Sequence, residues 1–231
     1  MRILLVALAV SAVASASALA GEGFEGRPIT ENAFAPTGYT LNGAEFAIGL
    51  GPIAFGITDN VQASTNLLLW AFQYYNANLK VAFAESDDHA FAVGVGLGRL
   101  SLDFVDGDDE AEFTSVSPYA AGSFRIGGGT MAHIGGQYSH FSASGDSDIE
   151  DADASAVATG TSFFGGFEHS VSNRTKFVAD AGYDATFEGA RVSGAVLFGW
   201  TTFRLKLGLS YFTAGDGFTF PLVGLWWRFD A

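Results

Sequence analysis

The chain has 231 residues, of which 48% are hydrophobic and 16% charged, and it carries a formal net charge of −14 at pH 7. This acidic balance argues against nucleic acid as a partner, because the phosphate backbone would repel the chain. Cysteine is absent, which excludes a disulfide-stabilised scaffold and thiolate metal sites. The sequence predicts neither a resident metal nor a cofactor.

The first twenty residues are predicted to form a secretory signal peptide. Arg2 precedes an apolar run over residues 3–13, and the sequence Ala-Leu-Ala at 18–20 has the small-residue spacing of a cleavage site. Cleavage after Ala20 would leave a mature, exported chain.

Beyond residue 40, bulky apolar residues alternate with small or polar ones, which is the side-chain period of a β-strand. The segment FRLKLGLSY at 203–211 places two cations between leucines in this pattern. Ten such strands are predicted after residue 60: 61–69, 75–84, 89–104, 113–126, 130–141, 157–169, 175–187, 191–200, 203–211 and 218–229. A change of phase near Gly98-Arg99 predicts a bulge within the third of them.

Residues 40–57 contain the point that decides the strand number. The bulky apolar residues mostly have even residue numbers before Gly51-Pro52 and odd residue numbers after it. Either a turn therefore divides the segment into two strands, or a bulge keeps it as one strand. A turn gives twelve strands in all, which agrees with the even strand numbers of single-chain bacterial barrels.

The polar face of the strands separates two kinds of all-β protein. A secreted soluble β-sandwich, which is one alternative, would need many lysines and glutamates on that face. Here the face carries mostly Gly, Ala, Ser, Asn and Thr, which suit a narrow lumen, while the apolar face suits lipid. A sheet in lipid must close, because open edges leave backbone groups unsatisfied.

The sequence therefore predicts a closed antiparallel transmembrane β-barrel. It has twelve strands, or ten if a weak strand has been divided, and it occupies residues 40–231. Residues 21–39 are interpreted as an N-terminal extension.

Isolated charges on the polar face are expected to point into the lumen: Lys80, Arg125, Lys176, Asp180, Asp184, Arg191, Arg204, Lys206 and Arg228. Asp180 and Asp184 lie two strands from the cations of 203–211, so they are candidate partners for Arg204 and Lys206. The pattern leaves undecided whether the lumen is open. Either the N-terminal extension or bulky inward side chains could fill it, the latter being Tyr119, Phe164, Phe220 and Trp226.

The last strand, FTFPLVGLWWRFDA, places Gly224 three residues before Trp227 and five before Phe229. This spacing resembles the C-terminal signal that the barrel-insertion machinery recognises in bacterial outer-membrane β-barrel proteins. The resemblance implies residence in the outer membrane of a Gram-negative bacterium, with outer-membrane lipids and lipopolysaccharide as partners. Pro221 stands where such signals usually have a polar residue, and Asp230-Ala231 follow the aromatic residue that usually ends them.

The expected function is that of a passive, porin-like channel for small solutes or of a structural barrel, without enzymatic activity. One alternative is a resemblance to outer-membrane phospholipases and lipid A deacylases, whose H-x-S-N arrangement is matched in part by His140 and Ser142. The resemblance implies that His140 is a general base toward Ser142 and that Glu150 or Asp151 orients the histidine. Ala143 replaces the expected asparagine.

Two acidic segments, 106–112 and 142–156, connect predicted strands. Their carboxylates are oxygen ligands of the kind that divalent cations prefer. Diffuse bridging by such cations to lipopolysaccharide phosphates is one hypothesis for these loops, and simple solvated charge is the other.

Overall fold

A computed structural model of the chain describes residues 24, 29–50, 52–103, 110–146, 154–186, 188–200, 202–213 and 217–230. The predicted signal peptide and its cleavage site lie outside the described residues. Within the described ranges, no helix is long and apolar enough to cross a membrane.

Twelve antiparallel strands close into a barrel. In chain order they are β1 Glu45–Gly49, β2 Pro52–Thr58, β3 Val61–Asn66, β4 Tyr74–Glu85, β5 His89–Asp103, β6 Glu110–Gly127, β7 Thr130–Asp146, β8 Ala154–Ser172, β9 Thr175–Asp184, β10 Gly189–Gly199, β11 Phe203–Phe212 and β12 Phe218–Asp230. One short helix, α1 Leu67–Trp70, lies between β3 and β4. Each strand pairs with its neighbours in sequence, and pairing of β1 with β12 closes the sheet.

The predicted fold class is confirmed. The segment around Gly51-Pro52 forms two strands, because β1 ends at Gly49 and β2 begins at Pro52, and ten strands follow residue 60. The ten-stranded alternative and the β-sandwich alternative are therefore wrong.

The bulge predicted at Gly98-Arg99 is absent. The register of β5 with β4 and with β6 runs unbroken past both residues. The side chain of Arg99 accordingly points outward, as Leu97 does, and its Nη2 atom donates to Glu112 Oε2 at 2.7 Å. The apparent change of phase came from Leu100, which lies on the inner side of this long strand.

The strand predicted over 61–69 ends earlier than expected. β3 stops at Asn66, whose side-chain oxygen accepts a hydrogen bond from Leu68 N and caps helix α1. Asparagine is a favoured helix cap because its side chain can bond nearby backbone groups. The apolar residues 67–70 thus form a helical turn on the rim of the barrel.

The outer surface of the barrel is apolar and the inner surface is polar. On β11, Leu209 is 61% exposed and Arg204 is 6% exposed, and on β9 Phe177 is 49% exposed and Lys176 is 1% exposed. Outward aromatic residues lie near both ends of the strands: Phe83, Phe177, Trp227 and Phe229 toward one end, and Tyr75, Tyr183, Tyr211 and Phe218 toward the other. Aromatic girdles of this kind occur where a barrel crosses the two membrane interfaces.

The two ends of the barrel differ. Turns of two or three residues join β2 to β3, β4 to β5, β6 to β7, β8 to β9 and β10 to β11, and we call this side the short-turn end. The opposite side, the long-loop end, includes the connections at 104–109 and 147–153, which lie outside the described residues. β1 begins and β12 finishes at the short-turn end.

Candidate functional site in the barrel interior

The described part of the N-terminal extension, Phe24 and residues 29–39, lies inside the barrel. We call Phe24 and residues 29–42 the plug, and most of these residues are buried, including Ile29, Ala35 and Leu41. A β-bridge between Glu31 and Pro36 shapes it as a hairpin. Of the two ways of filling the lumen that the sequence left open, the extension is thus one that the structure uses.

Both sides of this hairpin meet the short-turn end. Phe24 N donates to Asn173 O at 2.7 Å, in the turn between β8 and β9. The Tyr39 hydroxyl donates to Ser86 O at 3.1 Å, in the turn between β4 and β5. Burial raises the pKa of the Tyr39 phenol to about 12, so the group is a neutral donor at ordinary pH. The plug therefore enters the lumen from the short-turn end and returns to it.

Two inward carboxylates bind backbone amides of the plug. Asp180 Oδ2 accepts hydrogen bonds from Phe34 N at 2.7 Å and from Ala35 N at 3.0 Å. Glu168 Oε2 accepts one from Ile29 N at 3.0 Å. Both carboxylates are almost fully buried, and a hydrogen bond to an ionised group is roughly twice as strong as one between neutral groups.

Two inward lysines bind backbone carbonyls of the plug. Lys80 Nζ donates to Thr30 O at 2.8 Å. Lys206 Nζ donates to Asn32 O at 3.2 Å and to Ala33 O at 3.1 Å. These carbonyls are deep in the barrel, where an unpaired backbone group would cost as much as a lost hydrogen bond.

The proposed pairing of Lys206 with Asp180 is replaced by contacts with the plug. Among the described residues, the hydrogen-bond partners of both side chains are backbone groups of this segment. A peptide backbone offers donors and acceptors together, so it satisfies wall charges of either sign. Alternation along one strand shows which side chains point inward, but it does not show what they meet there.

Neutral side chains add further anchors. Ser123 Oγ accepts from Gly38 N at 2.8 Å, and Gln62 Oε1 accepts from Leu41 N at 3.0 Å. Neither residue was a predicted site residue, and nor was Glu168. Strand alternation could have placed all three on the inner face. Ser123 and Gln62 are two of many uncharged inward residues in this chain and gave no reason to select them, whereas Glu168 was an inward charge that the sequence analysis overlooked.

Apolar and aromatic contacts fix the plug against β9 to β12. Phe24, Ile29 and Ala33 pack with buried residues of these strands: Val178, Ala195, Leu197 and Leu222. The Phe34 ring lies 5.6 Å from the Phe220 ring, edge to face. Two predicted lumen cations stack on the segment, with Arg191 Cζ 4.6 Å from the Phe34 ring centre and Arg204 Cζ 5.0 Å from the Phe24 ring centre.

Two further predicted cations form ion pairs in the interior. Lys176 Nζ lies 3.1 Å from Glu168 Oε1, and both side chains are almost completely buried. Arg228 pairs with Glu45 at the closing seam of the barrel. Glu168 therefore joins a wall lysine and a plug amide, so the ion pair and the plug share one carboxylate.

The last two predicted lumen residues lie at the rims. Arg125 is exposed at the short-turn end, where its Nε donates to Asp88 Oδ1 at 3.0 Å. Asp184 ends β9 at the long-loop end, and its Oδ1 accepts from Thr186 N at 2.9 Å. Arg125 is therefore at the same end of the barrel as Tyr39 of the plug, and Asp184 is at the other end.

A cavity of about 480 Å³ remains beside the plug. Its walls come from the plug, from β1 to β6 and from β10 to β12. The lining combines apolar groups, neutral hydrogen-bonding groups, cations and one carboxylate, among them Ile29, Asn76, Trp226, Lys206, Arg228 and Glu31.

The candidate hydrolase residues do not form a catalytic arrangement in the described part of the chain. His140 is exposed on the outer face of β7, and Ser142 is two residues further along that face. The Ser142 hydroxyl lies 2.6 Å from Thr114 Oγ1 on the neighbouring strand, and no hydrogen bond joins it to His140 among the described residues. Glu150 and Asp151 lie outside the described residues.

The acidic loops also fall largely outside the described residues. Within the described ranges, no group of three or more His, Cys, Asp or Glu side chains is placed to hold a metal ion.

No protein-family model matches this chain, and no curated protein sequence matches it either. Among solved structures, it is similar to Ail, the attachment invasion locus protein of Yersinia pestis, in complex with the heparin analogue sucrose octasulfate (TM-score 0.38, 16% identity, 82% of this chain and 100% of that chain covered). It is also similar to OmpT of Vibrio cholerae (TM-score 0.43, 17% identity, 77% and 64% covered) and to a KdgM porin in complex with disordered oligogalacturonate (TM-score 0.38, 8% identity, 80% and 96% covered). With TM-scores below 0.5, these likenesses assign no function to the chain.

Proposed function

We propose that this chain is an outer-membrane β-barrel protein of a Gram-negative bacterium. Its exposed apolar outer face, polar inner face and aromatic girdles support this location. Short turns face the periplasm in bacterial barrels, and longer loops face the outside. The short-turn end is then periplasmic, and the plug enters the lumen from the periplasm.

We further infer that the barrel is closed to solutes in this conformation, so it is a structural barrel rather than an open, porin-like channel. The observation that supports this is the set of charge-assisted hydrogen bonds that hold the plug in the lumen. An open porin needs a continuous aqueous path. Here the plug and its buried contacts occupy the short-turn half of the interior, beside a smaller pocket of about 320 Å³ between Tyr39, Glu85 and Arg228.

The proposed partners follow from this location. Outer-membrane lipids and lipopolysaccharide would contact the apolar face, and divalent cations would bridge the acidic loops to lipopolysaccharide. The barrel-insertion machinery is a further proposed partner, and the residues of its proposed signal lie on both faces of β12. Gly224 lies opposite Lys206 in the interior, while Trp227 and Phe229 are exposed on the outer face. No enzymatic activity is proposed, because the Ser142 hydroxyl contacts Thr114 rather than the candidate base.

Conductance in planar bilayers tests this proposal. The wild type is expected to insert without steady conductance. A variant in which Phe24, Ile29 and Phe34 are all replaced by serine loses the apolar contacts of the N-terminal segment, each worth about 1.5–3 kcal/mol when buried, and should show frequent open events. Phe72→Ser, on the exposed rim, is the control and should resemble the wild type. A large, steady conductance of the wild type would contradict closure by the plug.

A further inference from the structure

The barrel wall is low on one side. β1, β2 and β3 have 5, 7 and 6 residues, whereas the other nine strands have 10 to 19. At a rise of about 3.3 Å per residue and a tilt of about 40°, the three short strands reach only about 13–18 Å along the membrane normal. The apolar band of an outer-membrane barrel is about 25 Å tall, so this part of the wall does not cross it.

The low wall leaves a lateral notch in the long-loop half of the barrel. Among the described residues, 218–224 of β12 pair with β11 but not with β1, whose ladder begins at Trp226. On the other flank, 74–77 of β4 pair with β5 but have no ladder partner on β3. Among the described residues, the contact between β1 and β12 nearest the long-loop end is the hydrogen bond that Leu50 N donates to Leu225 O at 2.9 Å.

The rim of the notch is apolar. Leu50 is 70% exposed and Phe72 is 67% exposed, and Leu68 and Trp70 of α1 are also exposed. Pro221 lies in the stretch of β12 without a β1 partner, and proline, having no N–H, is suited to an edge. A rim of leucines and aromatic rings beside a low wall favours contact with acyl chains and head groups rather than with bulk water.

The cavity lies directly behind the low wall. Its lining includes Ala47, Pro52 and Ala54 of β1 and β2, together with Leu69 of α1. Its volume of about 480 Å³ is within the roughly 300–1,000 Å³ range of small-molecule sites. The notch therefore opens from the membrane toward a site of ligand size.

The chemistry of the cavity fits an amphiphile with an anionic head. Ile29, Leu41 and Trp226 supply apolar surface. Three cations, Arg204, Lys206 and Arg228, line the same space together with one carboxylate, Glu31, so the lining has an excess of positive charge even though Arg228 is paired with Glu45. A lysine ammonium has three donors, and two hydrogen bonds of Lys206 go to the plug, which leaves one N–H for a ligand.

We propose that the notch is a lateral route between the membrane and the cavity, and that the cavity binds a single-chain amphiphile with an anionic head group, such as a fatty acid. The low wall brings the interfacial region of the membrane to the height of the notch, so polar head groups and water reach the edge of β12 that β1 does not cover. At the β4 edge, Thr65 and Asn66 hydrogen-bond to Asn76. This satisfies backbone groups that hydrocarbon would leave unpaired. The proposal rests on the outer-membrane location proposed above.

The test uses 11-(dansylamino)undecanoic acid, a fluorescent single-chain carboxylate, with the full-length protein in lipid nanodiscs. Saturable binding above that of empty nanodiscs is expected, with competition by lauric acid and much weaker competition by dodecanol. In Gly96→Leu the new side chain should fill the cavity and weaken binding at least tenfold. A Cβ at position 96 meets no atom closer than 3.7 Å, so the fold should tolerate it.

The matched control is Gly194→Leu, on the outer face of β10, where a Cβ has no neighbour within 4 Å. Its affinity for the probe should equal that of the wild type. If Gly96→Leu does not fold, Ser64→Leu, which lines the same cavity, replaces it.

Three outcomes would overturn the proposal: no saturable binding, equal binding by the cavity-filling variant, or competition by sucrose in place of lauric acid. Failure of the outer-membrane location would instead appear as a soluble protein on cell fractionation. The two failures are therefore distinguishable.

Discussion

Replacing Asp180 by alanine is expected to release the plug. The carboxylate accepts two backbone hydrogen bonds, from Phe34 N and Ala35 N, and hydrogen bonds to a charged group contribute about 1.5–3 kcal/mol each. The lower value gives about 3 kcal/mol for the pair, and 1.4 kcal/mol corresponds to a tenfold change in equilibrium. The fraction of molecules with a displaced plug should therefore rise about 100-fold.

Single-channel recording in planar bilayers measures this fraction as the open probability. Asp184→Ala is the matched control, because it removes the same group from the same face of β9 at a site that contacts Thr186 N at the long-loop end. Heat-modifiable mobility on gels should show that both variants remain folded barrels. The reasoning is refuted if the two variants have the same open probability, or if Asp180→Ala stays as closed as the wild type.

Three other results are expected. The protein should fractionate with outer membranes, need detergent for extraction and migrate faster on gels before boiling, whereas recovery as a soluble monomer would count against a membrane barrel. Lys176→Met should lower the free energy of unfolding by about 3–5 kcal/mol, because it leaves the Glu168 charge buried without its ion-pair partner. The control Arg99→Met, in the exposed pair with Glu112, should lower it by less than about 1 kcal/mol. Denaturant titration in micelles measures the free energy of unfolding of both variants. Purified protein in mixed micelles should release no fatty acid, so wild type and Ser142→Ala should be indistinguishable, and Ser142-dependent hydrolysis would reinstate the enzyme hypothesis.

The barrel could be predicted from the sequence because its physical cause is local and repeated. Every strand has one face toward lipid and one toward the lumen, so apolar and polar residues alternate along the sequence, as they do in residues 203–211. The change of phase at Gly51-Pro52 marked a real turn for the same reason. At Gly98-Arg99, a similar change of phase led to a wrong prediction. An inward leucine, Leu100, next to an outward arginine, Arg99, gives the same sequence pattern as a bulge.

The plug could not be predicted in the same way, because its contacts are distant in sequence. Lys206 meets Asn32 and Ala33, more than 170 positions away, and nothing in the alternation of β11 indicates that partner. The plug itself has no regular period, since its backbone bonds to side chains of the wall and not to a neighbouring strand. Charges on an inner face predict that something satisfies them, but not whether it is another strand, water or a separate segment.

The hairpin form of the plug has a consequence for the order of assembly. Phe24 and Tyr39 both contact turns at the same barrel opening, so the chain goes in and comes out by one mouth. A segment that passed from one mouth to the other would have to be enclosed while the sheet curled around it. This segment needs no such threading: the β1 and β12 seam can form first around an empty bore, and the hairpin can dock afterwards and be withdrawn again without breaking a single strand pair.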